Sequence, residues 1–287
     1  EDLRRRCKSS FKELGDPEFS LVLEGVMFRV TQMTNVSGSD VFFIRRSQAQ
    51  IRPIDTLGLA DQVIDAWRNP NLRGIVLVAG EMKNGKTSTT AGFVVDRLHR
   101  HGGLAMGIED PPETNLDGLH GKGRCIQVHA SRHKGGYEEA LIRSMRTGAD
   151  LIFVGEIRDT PTAVQVLTAG INGHLLVATI HAGSVPEAAQ RIVTLASPKM
   201  PNAQELLATG LSMVLWQSLH RSTSGAGEAS KTITRLKSSS LILTGSDSAA
   251  IKAKIRQGQL AELKQDVEIQ GRAATWRGGI RRSIRRA

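Results

Sequence analysis

One short stretch of the chain, G-E-M-K-N-G-K-T-S-T at residues 80–89, directly follows the apolar run I-V-L-V-A. It fits the spacing G-x-x-x-x-G-K-[ST], which is typical of loops that wrap the phosphates of a nucleotide. The matching residues are Gly80, Gly85, Lys86 and Thr87. Glycines permit the tight path of such a loop, and the next helix directs its positive N-terminal end at the phosphates. The stretch therefore predicts a strand, a phosphate loop and a helix in succession.

The polar residues of this loop have predicted roles in binding ATP. Lys86 is expected to reach the β- and γ-phosphates, and the Thr87 hydroxyl is expected to coordinate Mg²⁺. The residues predicted to bind the nucleotide are Gly80, Asn84, Gly85, Lys86, Thr87 and Ser88. An alternative is a polar turn that matches the pattern by accident. The apolar strand before the loop and the amphipathic helix after it argue against that alternative.

From about residue 58 the chain alternates between helical patterns and short apolar runs. Strands are predicted at 74–79, 104–109, 151–155 and 174–180. Helices are predicted at 59–68, 86–100, 137–147, 160–170, 186–196, 203–220 and 248–258. Strands that are apolar throughout and separated by helices indicate a mostly parallel sheet covered on both faces. The predicted fold class is α/β.

The beginning of the chain has a different pattern, with strands predicted at 19–23, 26–31 and 41–44. Three strands cannot bury an adequate core alone, so residues 1–46 are expected to be the C-terminal part of a small α/β or mostly β domain. Residues 47–57 are predicted to be a linker, and residues 222–230 a flexible loop. Residues 58–287 are then expected to form the nucleotide-binding domain with a C-terminal helical region.

Two of the predicted strands end in acidic residues. The segment G-I-E-D-P-P-E contains Glu109, Asp110 and Glu113, and the segment L-I-F-V-G-E ends at Glu156. Ligands of open parallel sheets bind at the carboxyl ends of the strands, so both segments should face the phosphate loop. ATP hydrolysis needs one carboxylate to orient water and another to hold Mg²⁺. Taken singly, each acid could instead be a helix N-cap or a surface charge.

Two histidines and two arginines are further candidates. His174 opens the predicted strand at 174–180, and His181 follows it. Both could sense a γ-phosphate, although a histidine is more often a satisfied polar residue. Arg29 and Arg45 lie in the N-terminal strands. They are either surface charges or arginine fingers that act in the site of a neighbouring subunit.

The composition, 40% hydrophobic and 23% charged, is that of a soluble globular protein, and no apolar run approaches a membrane span. Six of the ten net positive charges lie in residues 272–287. Such a basic tail could bind nucleic acid or anionic lipid weakly, or be a solvated end. Aromatic residues are only 4% of the chain, which disfavours base stacking. Cys7 and Cys125 fit no metal or disulfide pattern.

The order of these motifs resembles that of the hexameric motor ATPases of the type II/type IV secretion superfamily, especially the pilus-retraction branch. The resemblance runs from about Phe19 to Gly258. It rests on the phosphate loop, G-I-E-D-P-P-E, V-G-E-I-R-D (154–159) and G-H-L-L-V-A-T-I-H (173–181). The stretch A-I-K-A-K-I-R-Q-G-Q (250–259) is similar to a helix of retraction-type members. The resemblance implies a RecA-like P-loop core preceded by part of a PAS-like domain.

The resemblance also implies roles for matching residues. Glu109 would be the general base, and Glu156 would hold Mg²⁺ through a water molecule. The other implied catalytic residues, which contact phosphate or reach into a neighbour's site, are His174, His181, Arg29 and Arg45. The implied cofactors are ATP and Mg²⁺. The implied partners are further copies in a homo-hexamer and a membrane platform protein, at the cytoplasmic face of the bacterial inner membrane.

Some residues depart from the family pattern. Lys83 stands where a Gly-Ser stretch is common, and Asn172 replaces a threonine or similar residue. The cysteine-paired zinc insertion of the assembly branch is absent, which favours a retraction-like or conjugative-transfer member. Two other functions stay open. They are a nucleic-acid-stimulated ATPase or translocase with the same core, and a module that binds nucleotide without hydrolysing it.

Overall fold

The computed structural model describes residues 2–47, 50–224 and 231–284. It contains a three-stranded antiparallel sheet followed by an eight-stranded, mostly parallel sheet. The predicted α/β class is therefore confirmed. Within the described ranges, no helix is both long and apolar enough to cross a membrane.

The N-terminal unit consists of one helix packed on the smaller sheet. Its elements are α1 (Asp2–Leu14), β1 (Glu18–Leu23), β2 (Val26–Thr34) and β3 (Asp40–Arg46). The predicted strands are confirmed, whereas α1 was not predicted. The buried residues Cys7, Phe19 and Val30 form the centre of a small core between the helix and the sheet. The helix thus supplies the hydrophobic cover that three strands lack on their own.

The larger sheet has the order β11-β10-β4-β9-β8-β5-β7-β6. Its strands are β4 (Gly74–Ala79), β5 (Gly103–Glu109), β6 (Gly118–His120), β7 (Gly123–His129), β8 (Leu151–Val154), β9 (Leu175–Ile180), β10 (Leu211–Ser224) and β11 (Lys231–Ile242). Each edge strand is antiparallel to its neighbour, β6 to β7 and β11 to β10. The other pairings are parallel. The fully buried strands β4, β8 and β9 coincide with apolar runs seen in the sequence.

Helices cover both faces of this sheet. They are α2 (Asp61–Arg68), α3 (Lys86–His101), α4 (Gly136–Ser144), α5 (Thr160–Ile171), α6 (Val185–Ala196), α7 (Ala203–Gly210), α8 (Ser248–Arg256) and α9 (Leu263–Ile284). Val76 and Val78 pack in the same core as Phe93 of α3, whereas Ile75 and Leu77 pack in the core that contains α5 to α8. The alternation along β4 therefore fixes which helices lie on each face.

The predicted helix over 203–220 is wrong in its second half. Helix α7 ends at Gly210, and β10 then pairs with β4 and β11. Met213, Val214 and Leu215 are all fully buried, and a continuous apolar run of this kind is shared by buried helices and buried strands. Gly210 also packs against the backbone of Gly170 at a distance that only glycines permit without a shift.

Three other sequence predictions concern connecting and terminal segments. The predicted loop at 222–230 begins inside β10, and residues 225–230 lie outside the described residues. The basic tail continues α9 as far as Ile284, whereas Arg285 and Arg286 lie outside the described residues. Within the predicted linker, Ile54 is buried in the core of the large sheet. The domain boundaries at 46 and 58 stay a prediction.

Candidate nucleotide-binding site

The loop at 80–87 joins the carboxyl end of β4 to the first turn of α3. Gly85 caps α3 with φ +77°, a left-handed conformation that favours glycine. A β-carbon at Gly80 would overlap with the carbonyl oxygen of Gln217 on β10. Both glycines of the motif are therefore required by the backbone path. The predicted strand–loop–helix unit is confirmed, and Ser88 lies in the first turn of its helix.

Lys83 adopts a left-handed conformation, with φ +61°, although it is not glycine. This conformation costs a residue with a β-carbon roughly 1–2 kcal/mol. The residue is exposed. The loop therefore holds a residue with a β-carbon in a conformation that glycine adopts more readily.

Lys86 is buried, and its ammonium group folds back over the loop. Its Nζ donates hydrogen bonds to the carbonyl oxygens of Gly80 and Glu81, each at 2.9 Å. Burial lowers the pKa of Lys86, whereas the charges of Glu156 and Glu113 oppose that change. A phosphate group at the loop would compensate for the burial of this cation.

Glu113 is the acidic residue that contacts the predicted magnesium ligand. Its Oε2 accepts a hydrogen bond from the Thr87 hydroxyl at 2.8 Å, and its Oε1 pairs with Arg29 Nη1 at 2.6 Å. Its backbone carbonyl accepts a hydrogen bond from Ser47. The side chain is 36% exposed, so water can reach it. Sequence reasoning named this residue but gave it no role.

Glu109 lies behind Glu113 and is only 2% exposed. Its Oε1 accepts a hydrogen bond from Gln127 at 2.5 Å, and its Oε2 accepts one from the backbone N–H of Glu113 at 3.3 Å. Burial raises the pKa of Glu109 to about 7. A buried carboxyl group whose oxygens are both occupied is poorly placed to activate water. The geometry therefore favours Glu113 over Glu109 as the general base.

Glu156 and His181 lie together beside the loop. His181 Nε2 is 3.1 Å from Glu156 Oε1. Burial and the nearby charge of Lys86 lower the pKa of His181, and Glu156 opposes this change. At this distance a neutral imidazole can donate a hydrogen bond from Nε2 to Glu156 Oε1. His181 also lines an open cleft of about 520 Å³ with Glu81, Met82, Ala182, Gly183, Glu187 and Arg191.

His174 lies near the amino ends of the parallel strands, whereas the phosphate loop lies at their carboxyl ends. It precedes β9, whose first residue, Leu175, pairs with Gly74 at the beginning of β4. The loop follows the end of β4, and a six-residue strand is roughly 20 Å long. The backbone carbonyl of His174 accepts a hydrogen bond from Gly74 at 3.0 Å. His174 and His181 thus lie at opposite ends of β9, and within one subunit the structure brings His181, not His174, beside the loop. A role of His174 at the γ-phosphate stays a prediction.

The two candidate arginines lie opposite each other on β2 and β3. Arg29 pairs with Glu113 of its own chain, so its contact here is within the subunit. Arg45 is exposed, and among the described residues no ion pair involves it. Of these two arginines, Arg45 is therefore the one whose side chain could contact a neighbouring subunit without first breaking an ion pair described here.

Asp110, the remaining acidic residue of the G-I-E-D-P-P-E segment, is held by basic side chains, and among the residues that the structure describes no hydrogen bond joins it to the phosphate loop. It pairs with Arg158, and it lies 3.3 Å from His129 Nε2 and 3.6 Å from Arg132 Nε. Burial opposes ionisation, but the hydrogen bonds with His129 and Arg158 outweigh it and lower the pKa of Asp110. These contacts join the ends of β5, β7 and β8. Sequence reasoning missed His129 because it did not predict β7.

The sequence is similar to a known protein family and to known proteins over most of its length. The model of the family described as type II/IV secretion system protein matches residues 15–273. The protein named type IV pilus retractation ATPase PilT, from Pseudomonas aeruginosa, is 27% identical over 271 residues, covering 92% of this chain and 73% of that protein. The type II secretion system protein HxcR of the same organism is 36% identical over 172 residues. That match covers 58% of this chain and only 34% of HxcR.

Solved structures have the same fold. A crystal structure of the pilus retraction motor PilT with bound ADP has a TM-score of 0.70 and 26% identity, covering 90% of this chain and 71% of that chain. The ATPase DotB of Legionella pneumophila has a TM-score of 0.71 over 91% of this chain and 72% of its own. At 20% identity, this second likeness shows the fold alone.

Proposed function

Because this chain belongs to the type II/IV secretion system protein family, we propose that it is an ATPase whose hydrolysis of ATP powers a pilus or a secretion machine. The observation that carries the proposal is the contact between Thr87 and Glu113 at 2.8 Å, directly after a phosphate loop. It places a partly exposed carboxylate beside the hydroxyl that such loops use at the metal.

Different residues of the chain have different roles in hydrolysis. Lys86 and the loop N–H groups bind the phosphates, and Glu113 orients the attacking water and accepts its proton. Glu156 and His181 form a polar pair beside Lys86 that faces the terminal phosphate. Glu109 acts on Glu113 by accepting its backbone N–H.

The oxygen donors at the loop fit Mg²⁺, which prefers hydroxyl and carboxylate ligands and usually shares its shell with substrate phosphates. Thr87 would hold it directly, and Glu156 through water. The described residues contain no cluster of three or more acidic, histidine or cysteine side chains suited to a metal. Bound with ATP, Mg²⁺ supplies neutralisation of the charge on the phosphates.

We further propose that the chain works as a homo-oligomeric ring, with the hexamer as its expected form. Arg45 is exposed on the strand next to Arg29 and would reach the site of a neighbouring subunit. The relatives' names concern pili and secretion, which supports a membrane platform protein as the partner and the inner membrane's cytoplasmic face as the location.

Mg²⁺-dependent ATP hydrolysis per chain, measured over a wide range of protein concentration, tests the proposal. We expect the specific activity to rise steeply with concentration, because each site needs Arg45 from a neighbour, and Lys86→Ala to abolish it. Binding of ATP without hydrolysis at every concentration would indicate a binding module. Strong stimulation by single-stranded or duplex DNA would favour the translocase alternative. A flat activity from a monomer would contradict the role of Arg45.

A further inference from the structure

Strand β10 runs beside β4 and continues along the phosphate loop. The two strands pair as far as Ala79 and Trp216. Beyond that pair, Gln217 Nε2 donates a hydrogen bond to the backbone carbonyl of Asn84 at 2.7 Å. The backbone N–H of Leu219 donates another to Asn84 Oδ1 at 3.0 Å. Asn84 is thus held on both its backbone and its side chain by a strand more than 130 residues away.

The same strand packs against both glycines of the loop. The Gln217 carbonyl oxygen occupies the space that a β-carbon at Gly80 would need. A β-carbon at Gly85 would lie 3.2 Å from Leu219 Cδ1 and 3.5 Å from Gln217 Nε2. The loop therefore rests on β10 at its beginning, at Asn84 and at its end.

Gln217 is buried, and its hydrogen bond to Asn84 satisfies only part of its side-chain amide. The residue is 1% exposed, yet its Oε1 has no hydrogen-bond partner among the described residues. A buried amide with one unsatisfied atom is energetically unfavourable. The hydrogen bond from Nε2 to Asn84 is therefore the interaction that accounts for a polar residue at this position. An apolar residue of equal size would fill the same space without that unsatisfied oxygen.

We propose that Gln217 is a positioning residue for the phosphate loop. Its amide and the Leu219 N–H hold Asn84 so that the loop stays open for phosphates before nucleotide arrives. The inference rests on the proposed function, because it assumes that phosphates bind this loop. Gln217 acts through Asn84 and contacts no reacting atom. Nucleotide binding and the stability of the β10–β11 hairpin are consequently coupled. The coupling is reciprocal, so that bound nucleotide stabilises the hairpin as the hairpin stabilises the loop.

The first test compares two substitutions in contacts to the same hairpin. Gln217→Met keeps a similar volume but removes the donor to the loop. Gln62→Met is the matched control, because Gln62 Nε2 donates to Ser240 on β11 at 3.2 Å and does not contact the loop. We expect the Kd for MgADP to rise about tenfold in Gln217→Met and to stay within about twofold in Gln62→Met. The KM for ATP should rise more than kcat falls.

A merely structural role would lower the melting temperature of both variants without separating their nucleotide affinities. Equal MgADP affinity of Gln217→Met and the unchanged chain, within about twofold, would overturn the proposal. If the unchanged chain bound no MgADP, the proposed function itself would fail, which is a different result.

A second measurement needs no variant and applies even if Gln217→Met does not fold. Hydrogen exchange of the Leu219 N–H is followed in the unchanged protein with and without MgADP. Because the linkage is reciprocal, we expect exchange at Leu219 to slow about fivefold or more on binding. Slower exchange in the loop at 80–87 without any change at Leu219 would overturn the proposal.

Discussion

Two glutamates four residues apart have different chemistry because their surroundings differ. Glu109 is buried, and both its carboxyl oxygens accept hydrogen bonds. Glu113 is partly exposed and lies between Arg29 and the Thr87 hydroxyl. Burial favours the neutral acid at Glu109. The environment, more than the residue type, therefore separates a supporting acid from a candidate base.

The titration of Glu109 predicts how stability depends on pH. Its pKa rises from the ordinary 4.5 to about 7 on folding, so the folded state holds the proton more tightly. The stability that this gives is fully present below pH 4.5 and is lost as pH rises through 7. We expect this group to contribute a loss of about 2 to 3 kcal/mol in the free energy of unfolding between roughly pH 5 and 8. Urea unfolding at several pH values measures it.

Glu109→Gln is the matching variant, because an amide cannot titrate. Its free energy of unfolding should change less over this pH range than that of the unchanged chain. Identical slopes for the two proteins would mean that Glu109 is not the group responsible.

The sequence indicated where acids would lie but not which acid would contact the loop. Glu109 and Glu113 share one motif, and both follow β5. Their different positions depend on the path of the segment after β5, where Ser20 contacts the Pro112 carbonyl and Ser47 that of Glu113. Those partners are distant in sequence and leave no local pattern.

At the scale of secondary-structure elements, helix capping accounts for the last residue of the V-G-E-I-R-D motif. Asp159 precedes α5, and its Oδ1 accepts a hydrogen bond from the backbone N–H of Thr162 at 2.9 Å. Ser184 caps α6 in the same way, because its Oγ accepts a hydrogen bond from the backbone N–H of Glu187. The acid that ends this motif is therefore a helix cap.

Removing this cap should affect stability and leave the nucleotide site intact. We expect Asp159→Ala to lower the free energy of unfolding by about 1 kcal/mol, because an N-terminal N–H of α5 loses its acceptor. Asp159→Asn retains an acceptor and serves as the control. Chemical denaturation measures the change. A large rise in the Kd for MgADP in Asp159→Ala would show instead that the residue serves the site.

The strands of the large sheet differ in how well the sequence predicts them. The runs in β4, β8 and β9 are apolar, short and bounded by helices, so periodicity identifies them. The run in β10 follows α7 with only Gly210 at the junction, and its residues suit a buried helix equally well. Its strand pairing depends on β4, a tertiary partner that local sequence does not reveal.

At the scale of the whole molecule, the N-terminal unit meets the large sheet at the candidate site. Ser20, Arg29 and Ser47 all contact the segment that includes Pro112 and Glu113. Any movement of the small sheet against the large one would therefore alter the surroundings of Glu113. The motif order gave the fold class and the family, whereas this contact between the two sheets emerged only from the structure.

Mixing inactive subunits tests which arginine acts across a subunit boundary. Arg45→Ala mixed with Glu113→Gln should regain ATP hydrolysis above the sum of the two alone, because a Glu113→Gln neighbour supplies an intact Arg45. Arg29→Ala mixed with Glu113→Gln should not, because Arg29 contacts Glu113 of its own chain. Steady-state hydrolysis of the mixtures measures both. Recovery in the Arg29→Ala mixture would show that Arg29 acts between subunits.

The most direct test of the account compares Glu113→Gln with Glu109→Gln at saturating ATP and Mg²⁺, with nucleotide binding measured in parallel. We predict that Glu113→Gln lowers kcat by about a hundredfold or more and still binds ATP, because the group that accepts the proton is lost. Glu109→Gln should lower kcat by less than about tenfold, because it only supports Glu113. The reverse order, with Glu109→Gln inactive and Glu113→Gln nearly normal, would contradict the assignment of Glu113 as the general base.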